Sequence, residues 1–122
     1  MGRHYLNIKN LQKFGIDGPK EGLFIIVLCS KWCKSCKLLS PILEQFRDEG
    51  FIQLKEIDIS ENSKLARELN INAIPALIFF KDGKLLNKNI EVYGESLVNK
   101  GVMIGSFNKL ILKEIVKQMQ NL

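Results

Sequence analysis

The feature that most constrains this chain is the run Leu23-Phe24-Ile25-Ile26-Val27-Leu28-Cys29, continuous, apolar and rich in branched residues. With no polar alternation, it reads as a strand buried on both faces, in a parallel or mixed sheet covered by helices. It is the longest apolar run in the chain, far short of the ~20 residues a membrane helix needs. A length of 122 residues suits a single domain spanning 1–122. Such a domain buries roughly two thirds of its unfolded surface, enough for one core without staples. A chain 46% hydrophobic and 25% charged is neither a disordered tail, a collagen-like repeat nor a coiled-coil rod.

Around that strand, α and β signals alternate. Ile8, Leu11 and Phe14 stand at helical spacing and predict a short helix ending near Gly15, then a loop through Gly18-Pro19. Leu38, Leu39, Ile42, Leu43 and Phe46 mark a helix over Cys33 to Glu49, kinked at Pro41 and stopped by Gly50. Ile52 to Ile59 reads as a second strand. Leu65, Ala66 and Leu69 give one face of a short helix ending at Asn70. Ala76 to Lys81 is a third strand, and Asp82-Gly83 is a two-residue hairpin signal because both turn positions need positive φ. Lys84-Leu85-Leu86 then returns antiparallel. A closing helix over 107–120 is expected to turn Phe107, Leu110, Ile111, Ile115 and Met119 inward, capped by Ser106 or Asn108. The order predicts an α/β fold with a central mixed β-sheet flanked by helices on both faces.

The net charge is +5, from 18 basic and 13 acidic residues. Only Arg3, Arg47 and Arg67 are arginines, and they do not cluster, so the lysines read as solvated faces rather than a nucleic-acid surface. The first residues lack the apolar stretch and cleavage site of a signal peptide, and Leu6 stands where a myristoylation signal needs Ser or Thr. The expected location is the cytoplasm, with no membrane association.

The chemistry concentrates in Trp32-Cys33-Lys34-Ser35-Cys36, where the buried strand ends and a helix begins. Two cysteines separated by two residues on a first helical turn can close a small disulfide ring. The first faces the unpaired amides and positive dipole end of the helix, which favour thiolate over thiol. A thiolate attacks a disulfide, and a second thiol then resolves the mixed disulfide. Two other readings stand beside this one. A zinc site usually takes four Cys or His ligands, and this chain has three cysteines, the remote His4 and no second pair. Two small buried hydrophobes would fit poorly beside a charged loop.

Together with the strand Phe24–Cys29, the kinked-helix segment Leu39-Ser40-Pro41-Ile42-Leu43, Ala73-Ile74-Pro75-Ala76, Leu77-Ile78-Phe79-Phe80-Lys81-Asp82-Gly83 and Ile104-Gly105-Ser106, the motif resembles the thioredoxin family over roughly residues 20–120. The resemblance implies a thioredoxin-like fold. It implies that Cys33 is the nucleophile and Cys36 the resolving thiol. Pro75 would be a cis-proline presenting the backbone of Ile74 to an extended substrate segment; the alternative is an ordinary trans turn. Gly105 would keep the groove floor low, or serve as a simple strand-to-helix turn. Trp32 would be a flat contact surface beside the dithiol, or a plain core residue. Lys34 and Ser35 would border the same substrate-binding surface.

The departures are informative. Lys34-Ser35 replaces the family's usual Gly-Pro, and Val27 stands where a buried Asp usually serves the resolving thiol. Glu56 corresponds to the family's companion Lys and can supply a carboxylate as proton acceptor, or face solvent. Cys29 stands where many members have Trp; it is a small core residue or a third redox thiol. Lys31, Lys34 and Lys37 surround the dithiol and are expected to favour the Cys33 thiolate, raising the reduction potential somewhat above that of an ordinary thioredoxin. Extra residues around 87–100 imply an extended hairpin near the C-terminal end, either a docking surface or simply a longer hairpin.

The expected function is a dithiol–disulfide oxidoreductase acting on disulfide-containing proteins, monomeric and without a bound cofactor. A reductase partner, a flavoenzyme drawing on a nicotinamide cofactor, would recharge it by family analogy. The alternative is a protein-binding module whose dithiol is incidental or regulatory.

Overall fold

The computed structural model describes residues 7–105 and 107–122. Expectations resting on residues 1–6, His4 among them, and on Ser106 lie outside the described residues. The chain runs α1 (Ile8–Leu11), a 3-10 turn (Gln12–Phe14), β1 (Leu23–Cys29), α2 (Lys34–Asp48), β2 (Gln53–Asp58), α3 (Lys64–Glu68) and β3 (Ala76–Lys81). It continues through β4 (Lys84–Leu85), β5 (Ile90–Val92), β6 (Glu95–Val98), β7 (Val102–Ile104) and α4 (Lys109–Gln120).

The main sheet has five strands in the order β2-β1-β3-β4, with β7 also on β3. β1 pairs parallel with β2 and antiparallel with β3, so the sheet is mixed and β1 is central. The outer edge of β3 is shared. Its first half pairs with β7 and its second half with β4.

The unbroken apolar run of β1 follows from the two-residue period of a strand between two helical layers. Leu23, Ile25 and Val27 enter one core with Leu39, Leu43 and Phe46 of α2 and with Leu112, Ile115, Val116 and Met119 of α4. Phe24, Ile26 and Leu28 enter the other, with Ile8 and Leu11 of α1, Ile16, and Leu65 and Ala66 of α3. Phe24 and Phe80 meet there with ring centroids 5.9 Å apart. Among the described residues, no polar or charged one is buried.

The turn signals act as expected. Asp82 and Gly83 both take positive φ, at 52° and 84°. The Asp82 carboxylate also accepts from the Gly22 amide at 2.9 Å, tying the turn to the entry of β1. Pro41 lies inside α2, which continues through it to Asp48. Asn108 caps α4 by accepting from the Ile111 amide at 2.9 Å. Lys81 closes the other end, donating to the Met119 and Leu122 carbonyls at 2.7 and 2.9 Å.

Two packing expectations are corrected. Leu110 is 70% exposed and Leu38 is 73% exposed. In α4 the inward stripe is Leu112-Ile115-Val116-Met119, spaced by three and four residues. Leu110 falls on the opposite side of that stripe. Phe107 precedes the helix and is only partly buried, as is Ile111.

The extra residues form a hairpin of their own. β5 and β6 make a separate two-stranded sheet, turning at Tyr93-Gly94 and irregular between Ile90 and Glu91. Ile90, Val92 and Val98 enter the α2/α4 core, while Tyr93 stands 83% exposed at the tip. The chain rejoins the sheet at Gly101, where a Cβ would lie 2.5 Å from the Leu86 carbonyl oxygen and φ is +87°, so only glycine fits.

Candidate functional site

β1 delivers the chain to the edge of the sheet, and α2 begins five residues later. Cys33 is the residue at the start of the helix, in extended conformation, and its Sγ accepts from the Cys36 amide at 3.4 Å. A sulfur thus fills the role an oxygen usually takes at a helix N-terminus. The approach is set by Ser30: its carbonyl accepts from the Cys33 amide at 3.1 Å, and its hydroxyl from the Trp32 amide at 3.2 Å. Lys34 and Ser35 are exposed on the first turn. Trp32 is 79% exposed, so it is not a core residue, and the Lys31 ammonium lies 5.3 Å from its ring centroid.

All three cysteines are free thiols in contrasting settings: Cys36 is buried, Cys33 and Cys29 half-buried. The Cys33 thiol is held below its ordinary value. Donation from the Cys36 thiol is the main cause; burial opposes it, and the backbone amides of Cys36 and Ser35 add smaller contributions in the lowering direction. This corrects the emphasis on lysine charge. The groups acting on Cys33 are hydrogen-bond donors at the helix end, while Lys31 faces the Trp32 ring and the Asp58 carboxylate. Burial pushes Cys36 up, and donating to Cys33 pushes it further. Burial also pushes Cys29 up strongly, followed by its hydrogen bond to Cys36.

β3 begins at this same end of the sheet. Ala76 is in register with Leu28 of β1 and Ile104 of β7, which sets Pro75 beside the position of Cys29. The Ile74–Pro75 peptide bond is cis, not a trans turn. The Pro75 carbonyl accepts from the Gly105 amide at 2.8 Å. Gly105 has φ +110°, which favours glycine, and a Cβ there would come no closer than 3.6 Å to the Phe107 ring. Its requirement within the chain is conformational rather than one of space.

Glu56 is in register with Val27 across β1 and β2, and it shares a cavity of about 290 Å³ with Cys29, Cys36, Ser40 and Asp58. The Glu56 side chain is exposed at the cavity rim. Its carboxyl is held above the usual range by partial desolvation at that rim and by Glu44 of α2, opposed by Arg47. Its charge acts on Cys29. The strands therefore bring Glu56 to the thiol cluster from the side of Cys29. Asp58, in register with Cys29, is held below the usual carboxylate range by the Ser60 hydroxyl and amide.

Glu44, Asp58 and Ser30 were not singled out by sequence. Glu44 and Asp58 reach the cluster through pairing between distant segments. Ser30 carried a local signal: a hydroxyl between a strand end and a helix start is a common backbone partner. Among the described residues, no group of three or more His, Cys, Asp or Glu is arranged to hold a metal ion, and no helix is long and apolar enough to cross a membrane.

This geometry agrees with what comparison finds. The thioredoxin family model matches residues 8–101. A thioredoxin of Chlamydia muridarum is 32% identical over 75 residues, covering 61% of this chain and 74% of that protein. Among solved structures, a mutant thioredoxin from Halobacterium salinarum aligns with a TM-score of 0.63 at 21% identity, over 80% of this chain and 74% of its own. Thioredoxin of Fasciola hepatica aligns with a TM-score of 0.61 at 20% identity, over 90% and 88%. At such identities the structural likeness establishes the fold, which is thioredoxin-like. Matched over most of its length by the family model and by these relatives, the chain belongs to the thioredoxin family and shares its general role in thiol–disulfide exchange.

Proposed function

We propose that the chain is a single-domain protein dithiol–disulfide oxidoreductase working through the Cys33-Lys34-Ser35-Cys36 dithiol. The observation that carries this reading is the asymmetry of the pair: Cys33 at the half-exposed helix start with a lowered pKa, Cys36 buried one turn on with a raised one. The Cys33 thiolate attacks one sulfur of a substrate disulfide, and the other sulfur leaves as a thiolate. Cys36 then loses its proton and attacks Cys33 Sγ. The substrate's second sulfur departs, and a Cys33–Cys36 disulfide remains. Two electrons pass from the dithiol to the substrate.

Trp32, Lys34 and Ser35 border the approach to Cys33. The backbone of Ile74, with Pro75 and Gly105 behind it, receives an extended substrate segment in this reading. With Val27 at the usual carboxylate position, Glu56 is the acceptor for the Cys36 proton. No bound cofactor is needed. A flavin-dependent reductase partner would restore the dithiol, and the protein would act as a cytoplasmic monomer. Reduction of insulin by dithiothreitol, followed as turbidity, tests the reading. The chain should accelerate it and Cys33→Ser should not. Failure of the intact dithiol protein to accelerate the reaction would leave a binding module instead.

A further inference from the structure

The proposed reaction uses two thiols, yet the structure lines up three. Val27 and Cys29 share the α2 side of β1, because alternate strand residues face the same way. At Val27 that face is closed, but at Cys29 it borders the 290 Å³ cavity shared with Cys36 and Glu56. Cys36 lines that cavity with Cys29 on one side, and on the other its amide donates to Cys33 Sγ at 3.4 Å. Cys36 therefore stands between the other two cysteines.

We propose that Cys36 changes disulfide partner: in the oxidised protein, the Cys33–Cys36 bond isomerises to Cys29–Cys36 and frees Cys33. This rests on the reading of Cys33 and Cys36 as the redox pair. The Cys29 sulfur attacks Cys36 Sγ, the Cys36–Cys33 bond breaks, and Cys33 departs as a thiolate. The Cys29 proton passes to the Glu56 carboxylate on the cavity wall. No external oxidant or reductant enters, since one disulfide is exchanged for another.

Two opposing effects set the outcome. Burial leaves Cys29 mostly protonated, which slows its attack. Cys33 is the better leaving group, because its sulfur still accepts from the Cys36 backbone amide at the helix start while the Cys36 sulfur is held in the disulfide, and a stabilised thiolate departs faster. The product state is distinctive: an oxidised chain that still presents a nucleophilic Cys33 at its surface, able to open a further disulfide before any reductase acts.

Trypsin cleavage after Lys31, Lys34 and Lys37 puts the three cysteines in three different peptides, so the pairing can be read directly. The protein is oxidised with oxidised glutathione, quenched in acid, alkylated, digested and mapped by mass spectrometry. The expected wild-type result is a Glu21–Lys31 peptide linked to Ser35–Lys37, together with alkylated Trp32–Lys34. Cys29→Ser should abolish that linked species. In Cys33→Ser, which keeps a good helix-capping residue, the same oxidant should close Cys29–Cys36 within one chain. The proposal is overturned if the wild type gives only Cys33–Cys36 and Cys33→Ser leaves Cys29 and Cys36 unlinked; the dithiol reading then survives. If the wild type forms neither pair, both fail.

Discussion

Cys33 and Cys36 stand one helical turn apart, on two sides of the same helix end built from opposite materials. The outer side is Trp32, Lys34 and Ser35, all exposed, and there the Cys36 thiol first and the amides of Cys36 and Ser35 after it act on Cys33. The inner side is a sheet wall of Val27 and Cys29, and Cys36 is buried beside Cys29 at the cavity the two share. The same functional group becomes a nucleophile on one side and a protonated reserve on the other. The difference lies in hydrogen bonding and desolvation rather than in nearby formal charge.

The largest perturbation of this contrast would come from the wall. Val27→Asp buries a carboxylate at a site now 1% exposed. It should lower stability at neutral pH by about 2–4 kcal/mol in urea unfolding. Burial raises the folded pKa of that Asp above its unfolded value of about 3.9. The penalty is therefore full above the folded pKa and shrinks as pH falls toward the unfolded one. An unchanged midpoint at neutral pH would mean the wall is wetter than its packing indicates.

The contrast itself can be read by alkylation. The iodoacetamide reaction of Cys33 should rise with pH through a midpoint below the ordinary thiol value of about 8.5, while Cys36 and Cys29 react only above it. The stabilised thiolate favours the reduced form, so the potential against glutathione should lie tens of millivolts above about −270 mV, each 30 mV being about 1.4 kcal/mol. A potential at or below that value would remove the inference from thiolate to oxidant.

On the outer side, Trp32→Ala should leave stability within about 0.5 kcal/mol, because the indole is exposed. It should raise KM for a protein disulfide several-fold with little change in kcat. A loss of stability instead would make Trp32 a packing residue. The smallest effect is expected at the rim. Glu56→Gln should slow release of a mixed disulfide by a few-fold, and an unchanged release rate would discard Glu56 as proton acceptor.

How far this arrangement was legible in the sequence depends on how local each signal is. β1, the Asp82-Gly83 turn and the paired cysteines are each written in consecutive residues. The thiol cluster is not. Asp58 meets Cys29, and Glu56 meets Val27, through parallel strand register, while Glu44 reaches Glu56 from a helix packed over that strand. Nothing within either segment specifies such meetings. The β5–β6 hairpin was legible as an extended hairpin from Ile90, Val92, Leu97 and Val98 around Gly94, but not in its bounds, because its strands are short and its tip puts Tyr93, a residue that does not announce a turn, at φ 54°. Leu110 misled because an apolar residue near a helix start matches several helical faces until the first helical residue is known.

The attack by Cys33 is tested most directly by trapping. Cys36→Ser, incubated with a protein disulfide such as insulin, should accumulate a covalent complex that is dissolved by dithiothreitol and joined through Cys33 on peptide mapping. No complex, or one joined through Cys29, would contradict Cys33 as the attacking sulfur.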